Sequence, residues 1–436
     1  MNIILGIVIG LFVLMFLIVA HEFGHFLMSR KNGVTVKEFG IGFPPRAKAW
    51  RRIKGKWVKY PKSEWKNGSE VLKAVGNDKT EKTKTKSEKV KPEPLILSLN
   101  WLPIGGFCQM DGESASDTRK GTFGAASYWS KTKILFGGVA MNWLISILIL
   151  TILAWVGMPT FLDGQFTIKS DEHIERLGYI TVENVAKDSP AEAAGFQIGD
   201  KIIEQNHESV YYAYEVASRD IFSGGENVEY KIERKETTQS NCIKAPCNAQ
   251  TTIVEKTLTA TLNQSDSEYL LGVTMSSGGS TTKYTWSAPI IGIGTTAQLT
   301  KETFVGLGKM LWNLITGAAR QISLDSSTRE QGREQISEAS SGVTGIVGIL
   351  GTIFPAFVGS FSDIAFLAAL ISVSLACMNV LPIPALDGGR WLLITIYKLR
   401  KKPLKKEKEE EIVAKAFVVL LALMVIVTIL DITRLF

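Results

Sequence analysis

Four apolar blocks constrain this 436-residue chain more than any other feature. They cover residues 3–20, 134–156, 364–383 and 412–430, and each is close to the roughly 20 residues that cross a bilayer core as a helix. Because lipid offers no partners to backbone N–H and C=O groups, such segments must be helical. The blocks therefore predict an α-helical multi-pass membrane protein with four transmembrane helices. A signal peptide is the less favoured interpretation of the first block, since no basic region precedes it.

The charged residues predict the orientation of the chain. Residues 46–92 contain sixteen Lys and Arg against five Asp and Glu, whereas residues 161–285 contain eleven against nineteen. Because short basic loops stay on the cytoplasmic side, we expect the basic loops inside and the acidic region outside, together with both termini. The formal net charge of +7 then reflects loops beside the anionic lipid bilayer, and no nucleic-acid partner is expected.

A charged motif ends the first block. His21, Glu22 and His25 form the sequence HEFGH, in which the two histidines lie one helical turn apart on the same face. Two imidazoles at this spacing can bind Zn²⁺, and the glutamate can act as a general base. A chance match at a helix end is the alternative. Ionisable groups in a membrane helix are costly and normally mark a site, so we favour a zinc site near the cytoplasmic face.

A hydrolytic zinc usually has a third protein ligand. The remaining histidines, His173 and His207, lie in the predicted outer region, and Asp363 and Asp431 lie at the predicted outer ends of the last two blocks. Only Asp387, in NVLPIPALDGG, is expected at the depth of HEFGH. The prolines and glycines of this stretch predict a break in the helix, which is tolerated at membrane depth only around a covered site. The alternative is an ordinary helix-ending turn with Asp387 as a cap.

These two motifs resemble those of the site-2 protease family of intramembrane zinc metalloproteases. Further segments resemble its PDZ-bearing bacterial branch, the regulator-of-sigma-E protease type, in the family's order: VKEFGIGFPPRAKAW, WLPIGGFCQMDGE, GGVAMNWLIS and SSGVTGIVGI. The resemblance implies hydrolysis of a peptide bond in single-pass membrane proteins, such as anti-sigma factors or remnant signal peptides, in the bacterial cytoplasmic membrane. It also implies that His21, His25 and Asp387 bind Zn²⁺ and that Glu22 is the catalytic base.

The resemblance implies roles for two asparagines as well. Asn379 would contact the substrate backbone or the developing oxyanion, and Asn142 would support the site and bind substrate from the second span. An asparagine in a membrane helix also often only bonds another helix.

The resemblance implies that residues 95–113 form a membrane-associated β-loop. Its segment WLPIGGFCQM predicts two apolar strands joined by a turn at Gly105 and Gly106. An exposed strand edge here, with Phe107, could accept an unwound substrate as an added strand. The alternative is a plain hairpin that packs under the helices.

The outer region resembles one extracytoplasmic PDZ domain. TVENV alternates as a strand, and SPAEAAGF predicts a short helix with Ser189 as N-cap and Pro190 in its first turn. Such a domain either binds an extended peptide C-terminus or limits access by size. Cys242 and Cys247 could form a disulfide there or stay unpaired.

In order, the sequence predicts transmembrane helix 1 (1–30), a cytoplasmic loop (31–130) with a Lys-rich insert (54–94), transmembrane helix 2 (131–158), the PDZ domain (165–283), an amphipathic interfacial segment (284–360), transmembrane helix 3 (361–390), a basic cytoplasmic link (398–411) and transmembrane helix 4 (412–432). A catalytically silent PDZ-containing membrane adaptor is the alternative function. A transporter with a structural metal is less favoured, because the spans are few.

Overall fold

The computed structural model describes residues 2–53, 55–62, 95–114, 117–160, 162, 164–238, 250–264, 270–276, 278–321, 325–341 and 345–435. Most of the Lys-rich insert and both Cys242 and Cys247 lie outside these residues. The chain divides into two compact units, one formed by Met1–Leu153 with Pro289–Phe436 and the other by Ala154–Ala288.

The described helices are, in chain order, α1 (Asn2–Lys31), α2 (Tyr128–Val156), α3 (Pro190–Ala194), α4 (Ala213–Phe222), α5 (Ala288–Gln321), α6 (Ser326–Ser341), α7 (Ile346–Ala356), α8 (Phe361–Val380), α9 (Asp387–Leu399) and α10 (Lys406–Leu435). The described strands are β1 (Val36–Ile53), β2 (Lys56–Lys59), β3 (Ile96–Met110), β4 (Met158–Pro159), β5 (His173–Gly178), β6 (Ile180–Val185), β7 (Lys201–Gln205), β8 (Glu208–Ser209), β9 (Asn227–Thr238), β10 (Gln250–Thr261), β11 (Val273–Met275) and β12 (Gly279–Lys283).

Four of the described helices are long and apolar enough to cross a membrane, namely α1, α2, α8 and α10. This confirms the prediction of a multi-pass membrane protein. The third predicted span is corrected, because α8 ends at Val380 and Asp387 begins the separate helix α9. Pro382 and Pro384 lie in the intervening break, where proline cannot continue a regular helix. The last span begins at Lys406 instead of residue 412, since Glu407 and Glu409 are favourable in a first turn.

Glycines bring α1 and α2 into backbone contact. A Cβ atom on Gly24 would lie 2.2 Å from the carbonyl oxygen of Gly137, and one on Gly137 would lie 2.8 Å from that of Gly24. Small residues allow this approach, and close van der Waals packing is what associates helices in lipid. The first half of α1 is packed in the same way, because a Cβ on Gly6 would lie 2.6 Å from the backbone of Pro355 in α7.

In the segment predicted to be amphipathic, the described residues form three helices, α5, α6 and α7. The first half of α5 packs against α2 through small and hydroxyl-bearing residues. Thr296 Oγ1 lies 3.3 Å from Ser146 Oγ, and a Cβ on Gly292 would lie 2.3 Å from Thr151 Oγ1. At the start of α7, Asp431 of α10 accepts backbone hydrogen bonds from Gly345, just before the helix, and from Gly348, at 3.1 and 2.9 Å, so it caps this short helix.

The predicted hairpin turn at Gly105 and Gly106 is wrong. β3 is one bent strand, and residues 38–41 of β1 lie between its two arms, with partners in both 96–99 and 106–109. Residues 46–51 of β1 pair with the first arm again, and β2 extends the sheet. Gly105 allows the bend because it adopts a φ of +82°, a value that favours glycine. The arms cannot form a hairpin because β1 separates them.

The described residues of the second unit form two sheets. One has the order β10-β9-β7-β6-β11, with β8 beside β7, and the other has the order β4-β12-β5. Its core includes the fully buried side chains of Val182, Ile202 and Ile232. The capped helix predicted here is confirmed: Ser189 Oγ accepts a hydrogen bond from the Glu192 N–H at 3.2 Å.

A carboxyl group lies in the core of this second unit. Asp220 of α4 is only 3% exposed, and its Oδ1 accepts hydrogen bonds from Tyr230 Oη at 2.5 Å and Gln205 Nε2 at 2.7 Å. Burial raises the pKa of Asp220 to about 6, although the two hydrogen bonds act in the opposite direction.

We expect Gly24→Ala to destabilise the α1–α2 pair by about 1–3 kcal/mol, because the added methyl group would meet the Gly137 carbonyl. Thermal unfolding of the purified protein in detergent measures the effect. Gly306→Ala is the matched control, since a Cβ there meets nothing within 4 Å and a helical alanine is favourable. Equal melting temperatures for the two variants would contradict the backbone contact.

Asp220 should make the second unit more stable in mild acid. Its pKa in the folded state is about 6, above the usual 3.8. Between these two pH values Asp220 is therefore protonated in the folded state and ionised in the unfolded state. Its contribution is therefore most favourable below pH 3.8 and falls by roughly 3 kcal/mol as the pH rises through 6. Amide exchange of β9 in the full chain, corrected for the intrinsic effect of pH, should show this dependence in wild type. Asp220→Asn should lack it, and an identical profile would refute the assignment.

Candidate metal centre

His21 and His25 face the interior from the last third of α1. Both are buried, and their Nε2 atoms lie 3.1 Å apart. Their ring planes meet edge to face, with centroids 4.8 Å apart. The helix brings them together because residues four apart share a face.

Asp387 completes a triangle of ligand atoms. Its Oδ2 lies 3.1 Å from His21 Nε2 and 3.2 Å from His25 Nε2. The break after α8 aims this carboxylate inward at the start of α9. A Cβ on Gly388 would lie 2.1 Å from the Val380 carbonyl oxygen, and one on Gly389 would lie 2.0 Å from that of Ile383. The chain reverses direction at LDGG, and a side chain at either glycine would collide with the backbone of the preceding break.

These residues fit a zinc ion. One ligand atom from each lies within 4.8 Å of the others. Zinc bonds of about 2.0–2.1 Å in tetrahedral geometry separate ligand atoms by roughly 3.3 Å, which is close to the triangle observed. Two imidazoles and a carboxylate are also the donor set of many hydrolytic zinc sites.

The second nitrogen of each imidazole contacts protein. His25 Nδ1 lies 2.8 Å from the carbonyl oxygen of Ile134, which fixes Nδ1 as the N–H donor and leaves Nε2 as a ligand. His21 Nδ1 lies 3.3 Å from Asn142 Nδ2, while Asn142 Oδ1 is buried and has no hydrogen-bond partner in the described part of the chain. A half-turn of this amide would satisfy Oδ1 with an Nδ1–H of His21. With its proton on Nδ1, His21 would leave Nε2 free to bind a metal, and the unpaired Asn142 oxygen fits this tautomer.

α2 forms one wall of the centre. A Cβ on Gly138 would lie 2.6 Å from His21 Nε2 and 2.7 Å from His25 Nε2. Glycine at this position leaves the space between the imidazoles and the helix backbone.

Glu22 lies beside the triangle and outside it. Its half-buried carboxylate interacts electrostatically with His21, His25 and Asp387, and with the backbone amide of Cys108 in β3. It is not part of the ligand cluster itself. This is the placement that a general base for a metal-activated water requires.

The other predicted site residues have different surroundings. Asn142 is fully buried and reaches His21, so its place suits support of that imidazole better than contact with substrate. Asn379 Nδ2 donates to the carbonyl oxygen of Leu375 in its own helix at 2.9 Å.

The bend of β3 packs on α1 just before the histidines. Cβ atoms on Gly105 and Gly106 would lie 3.5 Å from Ile18 Cγ2 and 3.1 Å from Val19 Cγ2. Phe107 stacks with Phe43 at a centroid distance of 6.5 Å.

A polar network that we did not predict supports α9. Arg390, one turn after Asp387, donates a hydrogen bond to the carbonyl oxygen of Glu113, and its Nε lies 3.5 Å from Glu409 Oε1. Ser114 Oγ donates to the other oxygen of Glu409 at 3.2 Å. Arg390 and Glu409 together join the starts of α9 and α10 to the loop after β3. A charged residue three positions after Asp387 was the available signal.

Comparison with known proteins agrees with this site. The model of peptidase family M50 matches residues 9–68 and 89–424. Among relatives, the chain is 25% identical to the regulator of sigma-W protease RasP of Bacillus subtilis over 96% of both chains. It is 26% identical to the zinc metalloprotease RasP of Oceanobacillus iheyensis over 98% of both chains.

Four helices that are long and apolar enough to cross a membrane, together with two histidines and an aspartate that converge as metal ligands, define a membrane-embedded zinc metalloprotease. The chain belongs to peptidase family M50, the site-2 protease family. Its expected cofactor is Zn²⁺.

We expect the purified protein to contain about one zinc per chain. His21→Ala, His25→Ala and Asp387→Ala should each lose most of it, because each removes one of the clustered ligand atoms. Metal analysis after gel filtration in detergent measures this. Asp363→Ala is the control, since Asp363 lies in the first turn of α8 and outside the ligand cluster, and it should keep its zinc. Full zinc in Asp387→Ala would overturn the three-ligand centre.

Proposed function

We propose that this protein performs regulated intramembrane proteolysis of single-pass membrane proteins in the bacterial cytoplasmic membrane. The convergence of His21, His25 and Asp387 within a unit that has four apolar helices carries the proposal. A relative is named regulator of sigma-W protease, which supports anti-sigma factors as one substrate class. Remnant signal peptides are the second class.

In the proposed reaction, His21, His25 and Asp387 would hold the zinc ion. When bound, zinc supplies a Lewis acid that activates water and polarises the scissile carbonyl. Glu22 takes a proton from the attacking water and later delivers it to the leaving amine. The neighbouring imidazoles and carboxylate set the charge around Glu22, and Asn142 orients His21 through its ring nitrogen.

Asn379 has a proposed role at the substrate. Among the described contacts, the side-chain amide of Asn379 forms a hydrogen bond only with the backbone of its own helix. It could therefore turn toward a peptide. We assign it contact with the substrate backbone or the developing oxyanion.

A transmembrane substrate must unwind before its peptide bond can be attacked, because a helix buries its backbone groups in internal hydrogen bonds. The second arm of β3 offers replacement partners. Among the described strands, this arm pairs only with β1, and its Cys108 amide interacts with Glu22. We propose that substrate adds to this edge beside Gly106 and Phe107, while Gly105 sets the bend. The edge would then present the scissile bond to the base.

The second unit is proposed to be one PDZ domain on the extracytoplasmic side, and both termini are assigned to that side. Its antiparallel sheet, the capped helix α3 and the helix α4 support this assignment. The active site is assigned to the cytoplasmic side on the basis of the basic loops.

Glu22→Gln tests the chemistry. In proteoliposomes with a single-pass substrate shortened on its outer side, we expect the cleavage rate to fall by about 10²–10⁴-fold, since glutamine cannot accept the proton. Zinc content should stay at the wild-type value, because Glu22 is outside the ligand cluster. A catalytically silent adaptor would instead keep its function in this variant. Cleavage that persists in Glu22→Gln would exclude Glu22 as the base.

A further inference from the structure

The second unit contains a groove between α4 and the edge of its larger sheet. The cavity volume is about 400 Å³. It is lined by Asn184, Ala186, Ala217, Asp220, Ile221 and residues 270–275. β11 lies within the last of these segments and pairs only with β6, so its other edge has no partner among the described strands. An open edge beside a groove is a place where an extended peptide can add as a strand.

One charged side chain lies in this groove. Asp220 is among the lining residues although only 3% of its surface is exposed. Its Oδ1 accepts from Tyr230 and Gln205, whereas its Oδ2 has no hydrogen-bond or ion-pair partner within the described ranges. The adjacent Arg219 does not neutralise it, because that guanidinium pairs with Glu208 at 3.1 Å.

The rest of the lining is mainly apolar. Ala217 and Ile221 border the groove on α4, and Leu271, Val273 and Met275 border it on the sheet side. Apolar walls around one carboxylate oxygen fit a side chain with a long methylene stem and a cationic tip. Lysine fits better than arginine, because one available oxygen accepts a point-charge donor but not a two-bond guanidinium fork.

The charge of the surrounding unit favours the same ligand. Residues 161–285 contain nineteen Asp and Glu against eleven Lys and Arg, an excess that attracts a cationic segment. A buried carboxylate without a cationic partner is also costly in free energy, so a cation that reaches it removes part of that cost.

We propose that this groove binds an extended peptide segment and takes one lysine side chain against Asp220. Asp220 is then the specificity-determining residue, and it selects basic segments of membrane-protein substrates. The proposal rests on the proposed PDZ domain but not on the zinc chemistry.

Peptide binding to the full chain tests it. The probes are fluorescent six-residue peptides, Thr-Val-X-Val-Thr-Val, with X as lysine or as its uncharged isostere norleucine, each as free acid and as amide. Full-length Glu22→Gln protein in detergent prevents cleavage during the titration. We expect the lysine peptide to bind at least about tenfold more tightly than the norleucine peptide at pH 7.5, as for a hydrogen bond to a charged group.

Adding Asp220→Asn should reduce this ratio to about one, since asparagine keeps an acceptor for Tyr230 and Gln205 but removes the charge. Glu183→Gln is the control, because Glu183 is an exposed carboxylate on β6 outside the groove, and it should keep the preference. Amide exchange of β9 would establish that each variant is folded.

Three results would overturn the proposal: equal binding of both peptides, a preference that survives Asp220→Asn, or no binding of either peptide up to millimolar concentration. None of them bears on cleavage, which is measured separately with Glu22 intact. A Glu22→Gln protein that no longer cleaves substrate but still prefers the lysine peptide would show that peptide binding does not depend on catalysis.

Discussion

The close approach of α1 and α2 is the constraint on which the metal centre depends. Two histidines in a lipid-facing helix must be covered by another helix, and the cover must leave room for the ion. Glycines at 24 and 137 bring the backbones together, and Gly138 provides the space next to both Nε2 atoms. A helix pair separated by ordinary side chains would leave the imidazoles open to lipid. The same backbone contact places the Ile134 carbonyl at His25 and Asn142 at His21.

Asp387 is positioned in a different way from the histidines. A carboxylate at the end of a span would normally turn toward water. The Pro-containing break ends α8, and the two glycines of LDGG let α9 start against the carbonyls of that break. Arg390 then ties the first turn of α9 to Glu409 and to the loop after β3. Hydrogen bonds to charged groups typically contribute about 1.5–3 kcal/mol, so this partly exposed network resists movement of the third ligand. The last span is thereby linked to the metal centre without providing a ligand.

The sequence allowed the spans and the ligands to be predicted because both follow from local rules. Hydropathy gives the spans, and the i, i+4 spacing gives His21 and His25 on one face. Asp387 followed from its expected depth and from the prolines and glycines around it, since Asp363 and Asp431 lay at the opposite ends of their blocks. The bend of β3 could not be predicted, because Gly-Gly favours a turn locally while the partner that separates the arms is about sixty residues earlier. Glu409 was hidden in a run of charged residues that looked solvated. Gly138 lies in a family-like segment but has no functional group, so its place beside both imidazoles could not be inferred from its chemistry.

Four aspartates of this chain, three of them buried and one half-buried, differ in how their oxygens are used, and that difference separates structural from functional groups. Asp171 accepts four bonds from Thr285 and Ser287, and Asp431 accepts two backbone N–H groups at the start of α7. Their capacity is used by donors of the fold itself. Asp387 instead faces two imidazole nitrogens, which a cation must separate if all three are to act as acceptors. Asp220 has one oxygen used by the core and one that no described donor reaches, beside a groove. Burying a carboxylate oxygen costs free energy unless a proton or a cationic partner compensates it, and the partners that we assign are zinc for Asp387 and a substrate lysine for Asp220.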